Sequence, residues 1–445
     1  MSPVLPGRAA SSPARRHVLR GATAFAALGA AGTGTASAAP AVPPLPDLTG
    51  VTLRVLVNSP HIAMHRTVLA PAWQRLTGGT VEVTSTDYIQ LTDRIIDDVR
   101  SGTGAFDVFD YYYYGLGALV EAGALVDLTG WIRSRRDLDT QDFLPSIHDA
   151  YTLYRGRRYG LPYDGDQHLV FYNRELLDAH GLRPPATWDE FDTVAERITR
   201  AGGGAYHGAV LQRQPHAMGL GCCFINRLVG YGGDLVDRSG RPTLTTDAAL
   251  AAARHLVEVA PHSLPIPPEQ PSFDPATNAF LGGQLGLIES WTGLARRADD
   301  PALSRIAGKW GAVALPLGGR NRRRRTPLNG GYALGVSSAS PRREAALAYL
   351  AWATAKDTML METTQKNSAI DPNRRSVLHS AAYGETTPTA VGLVRDGLDG
   401  TPVVWPKGPH DPGNLQRLAD ELALAVAGTQ TATRALRTAQ AAWRH

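Results

Sequence analysis

Apolar strand-like runs alternate with amphipathic helical runs along most of this chain, in two successive series. In the first, Leu53 to Val57, Thr80 to Thr84 and Phe106 to Phe109 read as strands, and Leu91, Ile95, Ile96 and Val99 fall on one face of a helix between them. The second begins with a strand at His168 to Tyr172. Thr187-Trp188-Asp189-Glu190 then carries a capping box: the Thr oxygen accepts from the backbone N–H three residues on, and Glu190 bonds back. Trp188, Phe191, Val194, Ala195 and Ile198 follow at helical spacing. Further strands are predicted at Gly208 to Leu211, Leu285 to Ile288, Gly311 to Leu315 and Tyr332 to Val336. An Ala-rich helix spans about 342–355, and 414–443 is helical in pattern with a break near Gly428. This alternation predicts an α/β fold of mostly parallel sheet with helices on both faces. A length of 445 residues suits two sizeable lobes.

The first 38 residues stand apart. Arg15-Arg16 precedes an apolar Ala/Gly-rich run from Gly21 to about Ala31, and Ala36-Ser37-Ala38 follows as a small-x-small cleavage signal. That order predicts a signal peptide of the twin-arginine (Tat) type over 1–38, then a Pro-rich lead-in over 39–50. The run is shorter than the roughly 20 residues of a permanent membrane span. The predicted location is therefore outside the cytoplasm, in the periplasm or at the outer face of the cell membrane. No Cys near the cleavage site offers itself for lipid attachment. The net charge of +4 owes much to Arg8, Arg15, Arg16 and Arg20, all in the segment to be removed, so the mature chain is near neutral. A nucleic-acid binder would be expected to carry a surplus of Lys and Arg, so none is expected as a partner. The basic run Arg322 to Arg325 reads as a solvated loop. Cys222 and Cys223 are too few for a disulfide framework or a zinc site and read as small, partly buried residues.

Several local patterns, in order, resemble extracellular solute-binding proteins of ABC sugar transporters, the family 1, maltose-binding-protein-like type. Gly102, Asp107 and the run to Gly123-Ala124-Leu125 come first, then Tyr159-Gly160-Leu161-Pro162-Tyr163-Asp164-Gly165-Asp166 and Phe171-Tyr172-Asn173-Arg174. Pro185-Ala186-Thr187-Trp188-Asp189-Glu190-Phe191, Glu289-Ser290-Trp291, Gly330-Gly331-Tyr332 and Arg374-Arg375-Ser376-Val377-Leu378 continue the series. The resemblance covers essentially all of the mature chain. It implies a two-lobed periplasmic-binding-protein-like fold (type II) with the ligand in the interlobe cleft. Lobe 1 would comprise 51–163 and 326–365, and lobe 2 164–325 and 366–445, with crossings at 163–167 and near 311–330. The implied function is capture of a sugar, oligosaccharide or polyol by hinge closure and delivery to the permease of an ABC importer. A monomer is expected, with no cofactor, no metal and no catalysis.

A sugar offers hydroxyls at its edge and apolar C–H faces, so its site needs fixed carboxylates or amides and flat rings. Asp164 and Asp166 flank Gly165 at the predicted crossing, either as acceptors for the ligand or as part of a turn. Of Tyr111 to Tyr114, strand alternation sends about half inward, and Tyr112 and Tyr114 are the candidates for the cleft. Trp291 is the stacking candidate, and Ser59, His61, Gly331 and Tyr332 complete the set. Asp371 stands where many relatives have a small hydroxyl residue beside Pro, and would suit a polyol, a sugar or a cationic group on the solute. Two other classes compete. An exported glycoside hydrolase could use Asp164 and Asp166, but residues separated by one Gly seldom reach opposite faces of a sugar ring. His61 and His65 share a helical face, but lack the further ligands of a zinc site and read as solvated or cleft-edge residues. A solute-binding protein for a non-sugar ligand is the remaining alternative.

Overall fold

The computed structural model of the protein describes residues 45–400 and 402–445. The signal-peptide reading of 1–38, and 39–44 of the lead-in, lie outside the described residues. Strands β1 (Thr52–Asn58), β2 (Thr80–Thr86), β3 (Val108–Tyr112), β4 (Leu161–Asp164) and β8 (Tyr332–Val336) form one sheet in the order β2-β1-β3-β8-β4. β1 is parallel to both β2 and β3, while β8 runs antiparallel between β3 and β4. Leu53, Val55, Leu56 and Val57 of β1 are fully buried, as expected of a strand covered on both faces.

A second sheet is built from β5 (His168–Asn173), β6 (Leu287–Trp291) and β7 (Trp310–Ala314) in the order β6-β5-β7. Both pairings are antiparallel. The expectation of mostly parallel sheet is corrected here: within these two sheets, parallel pairing is confined to the β2-β1-β3 half of the first. Direction is set by the route of the connections, which the apolar content of a strand does not encode. The predicted strand at Gly208 to Leu211 is reduced to Ala209–Val210, parallel to Ser263–Leu264, and backbone bonds from Gly286 and Leu287 to His207 and Gly208 tie it to the β6 edge.

The capping box forms as read, with Thr187 accepting from the Glu190 N–H and Glu190 from the Thr187 N–H. It opens the Trp188–Gly202 helix, which buries Trp188, Phe191, Val194, Ala195 and Ile198. At about 2 kcal/mol per large buried side chain against about 1 for a cap, packing rather than capping holds this helix. The C-terminal pattern resolves into helices Asp411–Val426 and Ala432–Ala441. Cys222 and Cys223 are free thiols and wholly rather than partly buried. Among the described residues no helix is long and apolar enough to cross a membrane.

The chain passes between the two sheets at 165–167, from β4 to β5, and again between β7 and β8. Beside the first passage runs 371–373, joined to it by Gly165 N–H donating to the Asp371 carbonyl at 3.1 Å. A Cβ on Gly165 would lie 2.4 Å from the Pro372 carbonyl oxygen. This glycine therefore admits the neighbouring protein segment 371–373.

Candidate functional site

β1 ends at Asn58 and turns through a single 3-10 turn, Ser59–His61, with Pro60 fixing its start. The turn swings the His61 ring over the first sheet. Its Nδ1 lies 2.6 Å from Asp110 Oδ2, and its Nε2 lies 3.1 Å from Asp164 Oδ2. Burial by itself would push this imidazole down, but the hydrogen bonds to Asp110 and Asp164 and their charges overcome it and raise His61 to about 9. His61 is thus an imidazolium at neutral pH, with both N–H groups committed. Asp110, in the middle of β3, also accepts from the Asn58 N–H at 2.9 Å.

Two residues beyond Asp110 on the same face stands Tyr112. In register, Tyr332 of β8 sits opposite Tyr112 on one side and Asp164 on the other, with a register shift after it. The Tyr332 ring lies 4.4 Å from the Tyr112 ring and 4.4 Å from the His61 ring, and its hydroxyl accepts from Asn58 Nδ2. From the second sheet comes Trp291, the last residue of β6, paired with His168 and in edge contact with its ring at 4.4 Å. The Trp291 indole N–H donates to the Asn329 carbonyl at 2.7 Å, and Phe273 packs edge-on at 5.3 Å.

These groups enclose a cavity at the strand ends of both sheets, lined by Asn58, Pro60, His61, Tyr88, Tyr112, Asp164, Asp166, Met218, Phe273, Trp291, Tyr332 and Ala369. The cavity is small, about 50 Å³. Just before Tyr332, Gly330 and Gly331 have φ of +101° and +38°. A Cβ on Gly330 would fall 2.6 Å from Met218, and one on Gly331 1.9 Å from the Tyr151 hydroxyl, so only glycine fits.

Three carboxylates meet here: Asp164, Asp166 and Asp371 each place an oxygen within 4.8 Å of the others. Two are engaged. Asp164 Oδ1 accepts from the Asp371 N–H at 2.6 Å while its Oδ2 holds His61. Asp371 accepts from the Thr292 hydroxyl and from Arg296 at 3.3 Å. Asp166 has no side-chain donor, and burial, then the charges of Asp164 and Asp371, push its carboxyl well above the usual range against the weaker pull of the Gly331 N–H and the Arg296 charge.

Of the candidates read from sequence, His61, Tyr112, Asp164, Asp166, Trp291 and Tyr332 come together in the lining. Ser59, Tyr114, Gly331 and Asp371 do not line it. The Ser59 hydroxyl turns away to the Thr86 carbonyl at 2.9 Å. Tyr114 stacks behind Tyr112 at 5.2 Å and packs on Trp405, because β3 ends at Tyr112 and the chain coils at Tyr113–Gly115, breaking the alternation. Gly331 contributes backbone, and Asp371 is held behind Asp164 by Arg296. His65 is neither solvated nor at the cleft edge: it is buried against Tyr349 at 3.2 Å. Sequence reasoning missed Tyr88, Met218 and Phe273, which lie on loops and helices without a local signature, and Asp110, legible only as a polar residue in an apolar strand.

Comparison with known proteins agrees with this architecture. Residues 66–359, more than half of the chain, match the family described as bacterial extracellular solute-binding protein. A probable amino-acid ABC transporter periplasmic-binding protein of Sinorhizobium fredii is 27% identical over 315 residues, 69% of this chain and 70% of that protein. The fold matches an ABC transporter solute-binding protein of Agrobacterium radiobacter in complex with ribitol, with a TM-score of 0.80 and 23% identity over 88% of this chain and 98% of the other. It also matches maltose-bound MalE3 of T. maritima, with a TM-score of 0.78, 23% identity, and 88% and 98% of the two chains covered. With the family model covering strands of both sheets, the chain belongs to the bacterial extracellular solute-binding proteins.

Proposed function

We propose that this protein is the extracytoplasmic substrate-binding component of an ABC importer that captures a small carbohydrate or polyol and hands it to a membrane permease. The observation that carries the reading is the cavity between the ends of the two sheets, where the carboxylate of Asp166 faces a wall of Trp291, Phe273, Tyr112 and Tyr332. Carboxylates suit hydroxyls, and rings suit the C–H faces of a sugar. Ribitol and maltose in the structurally similar proteins support the class. The limited space favours a solute of monosaccharide size over an oligosaccharide in this conformation.

The two lobes follow the sheets, 51–163 with 326–365 and 164–325 with 366–445. They close on the solute as a monomer, a population shift driven by contacts made from both sides. Export by the twin-arginine signal puts the receptor outside the cytoplasm. The role is binding, not catalysis: Asp164 is spent on His61 and the Asp371 N–H, which leaves Asp166 without a second free carboxylate for hydrolysis.

A thermal-shift screen over monosaccharides, disaccharides, polyols and amino acids tests this. A ligand binding only the folded state raises the melting temperature by mass action. Stabilisation by members of the carbohydrate group is expected; stabilisation by amino acids alone would overturn the carbohydrate assignment.

A further inference from the structure

Four buried carboxylates gather at and behind the cavity wall from three segments: Asp110 on β3, Asp164 and Asp166 around the first passage, and Asp371 on the segment beside it, of which Asp164 and Asp166 line the cavity. Two cations answer them. His61 lies between Asp110 and Asp164, and Arg296 holds Asp371. Asp166 is left over. It is 4% exposed, lines the cavity, and has no side-chain donor; only the Gly331 N–H and the charge of Arg296, which is itself bonded to Asp371, favour its ionised form. Leaving a buried carboxylate without a counter-charge is costly, so the arrangement calls for a proton or a cation at this point. The walls beside it are Trp291, Phe273, Tyr88, Tyr112 and Tyr332, whose ring faces attract a cation, ammonium included.

The same lining discriminates by charge. No lysine or arginine lines the cavity among the described residues, and His61 has both ring nitrogens committed. A sugar acid, a sugar phosphate or the carboxylate of an amino acid finds no counter-ion here. A neutral sugar satisfies hydrogen bonds but leaves Asp166 to be neutralised by a proton.

We propose that the solute carries a protonated amine, as an amino sugar or amino polyol does, and that its ammonium seats on Asp166 between Trp291 and the tyrosines. This rests on the reading of the cavity as a carbohydrate site and narrows it. In the sequence, Asp371 is the acid suited to a polyol, a sugar or a cationic group on the solute; Arg296 already pairs with that residue, and the open position is Asp166.

Titration calorimetry and thermal shift on the mature protein at neutral pH, with matched pairs, test the proposal: glucosamine, galactosamine and mannosamine against their parent hexoses, and N-methylglucamine against sorbitol. At least one amine is expected to bind about 100-fold more tightly than its neutral partner, and Asp166→Asn to erase that difference. The unliganded Asp166→Asn variant is expected to melt no lower than the parent, since it removes an uncompensated buried charge; a variant that fails to fold would show Asp166 to be structural and overturn the proposal. Equal or tighter binding of the neutral partners would overturn it while leaving the carbohydrate reading intact. Failure of both classes would overturn the two together. Stabilisation by calcium chloride alone would assign the three carboxylates to a metal, and would also overturn it.

Discussion

His61, buried, keeps two protons between Asp110 and Asp164. Its folded value of about 9 exceeds the ordinary 6.5, so the stability it contributes is complete below about pH 6.5 and is lost as pH rises through about 9. Glu362, which accepts from Tyr163 at 2.7 Å, is pushed up to about 8 by burial and acts in the same direction, favouring the fold below its ordinary value and less so as pH rises through 8. The melting temperature should therefore fall on the alkaline side of neutrality. His61→Gln should flatten that limb, removing on the order of 3 kcal/mol of pH-dependent stability at most. Melting curves from about pH 6 to about pH 10 check this; an unchanged slope in the variant would show that the imidazolium is not the group responsible.

At the level of elements, helix and passage should respond differently to equally small changes. Thr187→Ala removes one half of a capping box far from the cavity, and should cost about 1 kcal/mol with no change in solute affinity. Gly165→Ala places a methyl 2.4 Å from the Pro372 carbonyl oxygen, and should cost several-fold in affinity as well as stability, because the two adjoining segments carry Asp164, Asp166 and Asp371. Denaturant melts paired with calorimetry separate the two cases, and equal affinities in both variants would contradict the assignment of the passage to the site. Much of this was legible in the chain. Asp164, Asp166 and Trp291 sit in short patterns whose neighbours fix their place at strand ends, so position followed from adjacency. Tyr114 was misplaced because alternation holds only while the strand lasts. The antiparallel second sheet was missed because direction depends on connections. Tyr88, Met218 and Phe273 come from three distant segments that only the tertiary fold brings to one wall.

For the whole molecule, the contact to watch joins the two sides of the cavity: the Tyr88 hydroxyl, after β2, donates to Gln214 Oε1, beyond the short Ala209–Val210 strand. A neutral hydrogen bond of about 1 kcal/mol predicts that Tyr88→Phe weakens binding about fivefold by favouring the open form. Small-angle scattering should show the radius of gyration falling when the best ligand of the screen is added, and falling less for the variant at the same concentration. A parent whose dimensions do not change on saturation would remove closure from the account. The indole of Trp291 brings one more consequence. Of the eight tryptophans, it is the one that lines the cavity, and its N–H is tied to the Asn329 carbonyl of the chain returning to the first sheet. Its emission thus reports on solute contact and on the spacing of the two sheets at once, which gives the protein an intrinsic optical gauge of occupancy that needs no label.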